Sequence, residues 1–225
     1  MTVFREVRAV VFDAVGTLID ADPPVASVYR EAGARHGSSL LMGDIVANLK
    51  AAIARNFRGE ASDEVLERSR WSCVVAETFI DIDDTSQLFQ ELWNHFADAA
   101  HWRAVDDAKA VCQELSSRGY VVAVASNFDG RLNRISQALP PLDAIGSIFV
   151  SSQVGYSKPH AEFFRRVQRS LQLEPSQLLM VGDSQTNDYA AARAVGWGSL
   201  WLARGHSDAS ADTISSLTEV LGYLR

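Results

Sequence analysis

The sequence predicts an α/β protein: a mostly parallel sheet, covered by helices on both faces, with one all-helical insert. Two observations carry this. Through the second half of the chain, short apolar runs with β-branched content alternate with helical patterns, which implies right-handed crossovers between parallel strands. Between the first such run and the next lie roughly 80 residues with helical periodicity and no convincing strand.

The first strand is expected at Ala9 to Phe12, a short run apolar throughout, as a strand buried on both faces reads. The insert then begins. Val25, Val28, Tyr29 and Ala32 share one helical face, introduced by Asp22, Pro23 and Pro24, and Leu88, Leu92 and Phe96 share another. Past the insert, Ala108, Val111, Cys112 and Leu115 recur at i, i+3, i+4 and i+7. Asp106 or Asp107 is the expected N-cap of that helix, and Gly119 its stop. Strands follow at Tyr120 to Ala125 and Ile145 to Val150. Phe163, Phe164, Val167 and Leu171 predict a helix with Pro159 in its first turn. Strands at Leu178 to Val181 and Ser199 to Leu202 flank a short helix containing Ala190, Ala191 and Ala194 and closed by Gly196. Ile214, Leu217 and Leu221 predict a last helix.

Composition narrows the function. With 225 residues, 47% apolar and 22% charged, the chain can bury a full core without disulfides or structural metal. Its 21 basic and 28 acidic residues leave a net charge of −7, which disfavours nucleic acid as a partner because phosphate binding rests on a basic surface. The longest uncharged stretch, Ala144 to Ser157, has 14 residues, short of the roughly 20 apolar ones a bilayer span needs, so no membrane association is expected. Arg5, Glu6 and Arg8 before the first strand are unlike a secretory signal. Cys73 and Cys112, with no Cys-x-x-Cys pattern, read as core thiols in a reducing, cytoplasmic setting. Only three residues are lysine: Lys50, Lys109 and Lys158.

Strand ends collect the residues able to do chemistry. Asp13 directly follows the first strand, and Gly16 and Thr17 signal a turn behind it. Ser126 and Asn127 end the second core strand, and Gly182 and Asp183 end the fourth. In a parallel sheet these ends face one crevice, the usual ligand site of such folds. Lys158, just ahead of Pro159, is a candidate phosphate ligand acting as a point charge. Asp188, at the start of the next helix, is placed either to cap it or to hold Lys158 or a metal-bound water. Two carboxylates on neighbouring strands suit Mg²⁺, which takes one or two carboxylates together with water and phosphate oxygens. The set points to phosphoryl transfer, where catalysis is mainly positioning and charge neutralisation.

The run Val11-Phe12-Asp13-Ala14-Val15-Gly16-Thr17-Leu18, followed in order by Ser126-Asn127, Lys158-Pro159 and Gly182-Asp183-Ser184 with Asn187-Asp188, resembles the four motifs of the haloacid dehalogenase-like (HAD) hydrolase superfamily. The resemblance spans the whole chain. It implies a Rossmann-like parallel-sheet core from 1–20 and 102–225, with an all-helical cap from 21–101. It further implies that Asp13 is a nucleophile that becomes an aspartyl-phosphate and that Ser126 and the Asn127 backbone bind phosphate. Lys158 would neutralise both phosphate and nucleophile. Mg²⁺ would be held by Asp13, Asp183, the Val15 carbonyl and, in support, Asp188. The implied substrate is a small phosphorylated molecule.

Val15 departs from the pattern. Phosphatases of the family carry there a second aspartate, which protonates the leaving group, a contribution commonly of about 10²–10⁴-fold. A Mg²⁺-dependent phosphohydrolase lacking this acid should be slow on alkyl phosphates and favour good leaving groups such as aryl or acyl phosphates. Asp20 is a candidate substitute acid. Three alternatives remain: a phosphate-binding or interaction protein with weak catalysis; a 2-haloacid dehalogenase, although Asp183 argues for metal; and phosphonate cleavage, for which Lys50 is the sole cap lysine. Trp71, Trp93 and Trp102 read mainly as cap-core packing, and His36, His95, His101, His160 and His206 show no metal-ligand spacing.

Overall fold

The computed structural model describes residues 3–58, 61–205 and 212–225, so that His206 lies outside the described residues. Its main sheet has six strands, all parallel, in the order β5-β4-β1-β6-β7-β8. β1 (Ala9–Phe12) lies between β4 (Val121–Ser126) and β6 (Leu178–Gly182), flanked outward by β5 (Ser147–Val150) on one side and β7 (Gly198–Leu202) and β8 (Thr213–Ile214) on the other. All four residues of β1 are buried, because neighbours cover both its edges and helices cover both its faces.

Side-chain alternation sorts the core into two layers. Val10 and Phe12 join Val124, Leu179 and Val181 beneath α5 (Ala108–Ser117) and α6 (Arg131–Ser136), while Ala9 and Val11 join Ala123, Ala125 and Met180 on the face of α8 (Ala161–Leu171). Chain order reverses at β1: the chain runs outward through β4 and β5, then crosses back to β6 on the other side. The carboxyl ends of β4, β1 and β6 therefore form the crevice at the switch point.

The chain leaves and re-enters this core through an antiparallel pair, β2 (Ile19–Ala21) with β3 (Trp102–Ala104). The expectation of no strand between Ala9 to Phe12 and Tyr120 is corrected here, since three-residue strands are too short to show alternation. Between them, α1 (Val25–Arg35), α2 (Met42–Asn56), α3 (Glu64–Thr78) and α4 (Ser86–His95) pack around a cluster of their own that includes Tyr29, Ile45, Val75, Phe79 and Leu88.

Several ends move relative to the sequence expectation. Tyr120 precedes β4, and Ile145 closes a short turn ahead of β5. Pro159 lies outside α8, whose N-cap is His160 with its ring Nδ1 accepting the Glu162 N–H at 3.2 Å. Asp107 is the N-cap of α5 by position, but its carboxylate accepts instead from Leu217 N, at 2.7 Å, and Arg204. Gly119 adopts φ +86° just past that helix, the left-handed stop expected of it. A π-helical turn (Gln185–Ala190) precedes the short α9 (Ala191–Ala194). Ile214 belongs to β8 rather than to a last helix, and Leu217–Tyr223 is a 3₁₀ turn closed by a Ser216–Glu219 capping box. Cys112 is buried as expected, whereas Cys73 is exposed on α3. Among the described residues no helix is long and apolar enough to cross a membrane.

Phe163 is fully buried against the sheet. Phe163→Ala is expected to lower stability by about 3–5 kcal/mol, read as a reduced urea midpoint with an unchanged slope.

Candidate active site

The crevice is organised around a buried ammonium. Lys158, 4% exposed, precedes α8 and directs Nζ to three oxygens: Asp13 Oδ1 at 2.8 Å, the Ala125 carbonyl at 2.8 Å and Asp188 Oδ1 at 2.5 Å. These contacts match its three N–H donors. Burial by itself favours the neutral amine, but the Asp13 and Asp188 carboxylates outweigh it and hold the Lys158 pKa above the usual lysine value. The backbone of Lys158 is clamped from β4: Asn127 Nδ2 donates to its carbonyl at 2.8 Å, and its own N–H donates to Asn127 Oδ1 at 2.7 Å.

Each carboxylate has a local reason for its place. Asp13 extends β1 by one residue, its N–H donating to the Val181 carbonyl of β6 at 2.9 Å. Asp188 is buried in the π-helical turn and accepts from the Ser184 N–H at 3.1 Å. Asp183 follows β6 and reaches solvent at the mouth of the crevice. Gly16, at φ +85°, lets the loop after Asp13 close on Asp183, since a Cβ there would stand 2.5 Å from Asp183 Oδ2. Oxygens of Asp13, Asp183 and Asp188 all lie within 4.8 Å of one another. Partial desolvation, then the charges of Asp13 and Asp188, raise the Asp183 pKa to about 6. Three carboxylates thus cluster beside one ammonium that pairs with two of them, Asp13 and Asp188, a hard-oxygen donor set with excess negative charge that fits a small divalent cation.

The other sequence candidates divide. Ser126 ends β4 and is buried, and among the described residues none makes a hydrogen bond with its hydroxyl. Val15 lines an adjoining cavity of about 210 Å³. Asp20 is paired across the antiparallel β2–β3 pair with Arg103 at 3.5 Å, and Lys50 is exposed on α2 and does not line the cavity.

That cavity was not legible in the sequence. Trp71, Trp93 and Trp102 line it, together with Tyr29, Phe128 and Arg131, so their part goes beyond cap packing. Arg131 is held by Asp129 through Nε to Oδ1 at 2.8 Å and Nη2 to Oδ2 at 2.7 Å, and its guanidinium lies 3.6 Å from the centre of the Trp93 ring. The one sequence signal was the Asp129-x-Arg131 spacing directly behind Ser126-Asn127.

Residues 7–196 match the haloacid dehalogenase-like hydrolase family, and the chain belongs to it. It is 26% identical over 207 residues to haloacid dehalogenase-like hydrolase domain-containing protein 3 of Bos taurus, covering 88% of this chain and 82% of that protein. A phosphoglycolate phosphatase of Aliivibrio fischeri is 25% identical over 228 residues, covering 94% and 93% of the two chains. The fold is shared with a magnesium-bound HAD-hydrolase of Bacillus subtilis (TM-score 0.74, 22% identity, 96% and 98% covered). It is shared equally with a dehalogenase in an intermediate complex (TM-score 0.73, 19% identity, 98% of each chain covered).

Two outcomes test the electrostatics. Lys158→Met leaves two carboxylates without their counter-charge, and is expected to cost about 3–5 kcal/mol at pH 7.5 by urea denaturation. For Asp183 the sign is opposite: its folded pKa of about 6 lies above the ordinary 3.8, so the unfolded chain loses its proton first as pH rises. The metal-free protein is therefore destabilised by Asp183 as pH climbs from about 4 to 6. Asp183→Asn in EDTA is expected to melt higher than the parent at pH 7.5, the gap closing towards pH 4; a constant gap would contradict this assignment.

Proposed function

We propose that the protein is a Mg²⁺-dependent phosphohydrolase acting on a small phosphorylated substrate through an aspartyl-phosphate on Asp13. The observation that carries this reading is the cluster of Asp13, Asp183 and Asp188 beyond the ends of β1 and β6, with a buried lysine paired to Asp13 and Asp188. Segments 1–20 and 102–225 serve as the catalytic core and 21–101 as a cap. Asp13, Asp183, Asp188 and the Val15 carbonyl would hold the metal, with Asp188 also bound to Lys158. When bound there, Mg²⁺ supplies charge neutralisation for the phosphoryl oxygens.

A carboxylate oxygen of Asp13 attacks phosphorus while the bond from phosphorus to the leaving oxygen breaks, and the leaving group departs with the electron pair. Ser126 and the Asn127 backbone bind the phosphoryl oxygens. Lys158 donates to the Asp13 carboxylate and orients it, and Asn127 positions Lys158 through its backbone. Water then attacks phosphorus, releasing inorganic phosphate and restoring the carboxylate. Val15 cannot donate a proton, so the leaving group departs as an anion and is protonated by solvent.

Retention of Asp183 in the cluster favours metal and phosphate over dehalogenation, and the exposed Lys50 offers no support for phosphonate cleavage. Asp13→Asn or EDTA is expected to abolish phosphate release. Val15→Asp is expected to raise alkyl-phosphate turnover by about 10²–10⁴-fold and aryl-phosphate turnover much less. Equal gains on both substrates, or chloride release from 2-chloropropionate that survives EDTA, would count against the phosphohydrolase reading. Phosphate binding without turnover would leave an interaction protein.

A further inference from the structure

The cavity beside Asp13 carries a substrate assignment of its own. It touches the reacting centre at two places, Val15, two residues past Asp13, and Asn127, which follows Ser126. Its walls come mostly from α1, α3 and α4 and are aromatic: Tyr29, Trp71, Phe89, Trp93, Trp102 and Phe128. Its volume is about 210 Å³. A dry apolar cavity of about 150 Å³ accepts benzene. The space therefore takes one ring with small substituents.

Charge makes the second selection. Arg131 is the one charged residue among the described lining residues, and Asp129 engages it through two parallel bonds while Trp93 covers its face. The Asp129 carboxylate balances the charge of this guanidinium, so the cavity presents no net positive charge to a carboxylate on the leaving group. Chemistry makes the third. A phenol ionises near pH 10, several units below an aliphatic alcohol, so an aryloxide leaves without the proton that Val15 cannot supply.

We infer that the cavity is a leaving-group site for a single uncharged aromatic ring, making aryl phosphate monoesters the substrate class. This rests on the phosphohydrolase reading and deepens it. With the ring already seated in the cavity, an Asp13 oxygen bonds to phosphorus as the ester P–O bond breaks, its electron pair going to the aryl oxygen, and solvent protonates the phenolate as it leaves.

Three measurements test it together. Phenyl phosphate is expected to exceed 2-phosphoglycolate in kcat/KM by about tenfold or more, one decade being about 1.4 kcal/mol. Val25 lines the cavity and is 36% exposed, so Val25→Trp should fold while filling the site. It is expected to reduce the ratio of kcat/KM for phenyl phosphate to that for acetyl phosphate by about tenfold. Third, ¹⁹F resonances of 4-fluorophenol should broaden with the metal-free parent and sharpen with Val25→Trp, a readout independent of turnover. If acetyl phosphate is hydrolysed but 4-fluorophenol does not bind, or the ratio is unmoved, the aryl assignment fails and the phosphohydrolase reading stands. If neither acetyl nor phenyl phosphate is turned over, both fail, whether or not the arene binds.

Discussion

The ammonium of Lys158 is sealed from water among the Asp13 carboxylate, the Asp188 carboxylate and the Ala125 carbonyl, and each contact ties together parts of the chain that are distant in sequence. Asp13 extends β1, Ala125 lies in β4, Asp188 sits in the turn after β6, and Lys158 leads into α8. A buried charge without partners is costly, so these four segments cannot separate without exposing or stranding one. The parallel register of β1 with β4 and β6 is what brings the partners to one level, Phe12 standing opposite both Val124 and Val181. The hydrophobic layers above and below the sheet stabilise the scaffold, and the ion cluster uses the one place where strand order reverses.

The helical segment depends on that scaffold at two seams. One is the β2–β3 pair through which the chain passes. The other lies at the start of α3, where Glu64 accepts from the Gly130 N–H at 2.9 Å and the Ser152 hydroxyl at 2.6 Å, and the Ser62 N–H donates to the Gly155 carbonyl at 3.2 Å. With both seams made, aromatic residues of α1, α3 and α4 border the cavity that Val15 and Asn127 also line. One residue thus has two consequences: it removes a proton donor from the crevice and supplies an apolar wall to the neighbouring site.

Much of the core was legible because its signals are local. The buried runs of β1, β4 and β6 show as uninterrupted apolar stretches, and Gly119 and Gly196 mark helix ends by their left-handed conformation. What failed was short or context-dependent. β2 and β3 have three residues each, and β8 has two. Ile214 reads as helical by spacing, yet its pairing with Leu202 draws it onto the sheet edge. Cys73 looks like a core thiol by residue type, but the α3 face that carries it is turned outward.

From its sequence alone, this protein is determined to be a parallel α/β fold with Asp13, Ser126, Lys158 and Asp183 at or between successive strand ends, because the buried apolar runs and residue order are properties of neighbouring residues along the chain. The tertiary structure decided what those residues meet. Whether Lys158 is a surface charge or a buried counter-ion, whether Arg131 is free or neutralised by Asp129, and whether three tryptophans fill a core or border a cavity are questions of distance between segments far apart in sequence. Desolvation and Coulomb energies depend on those distances, and so the electrostatic character of the site emerges only on folding.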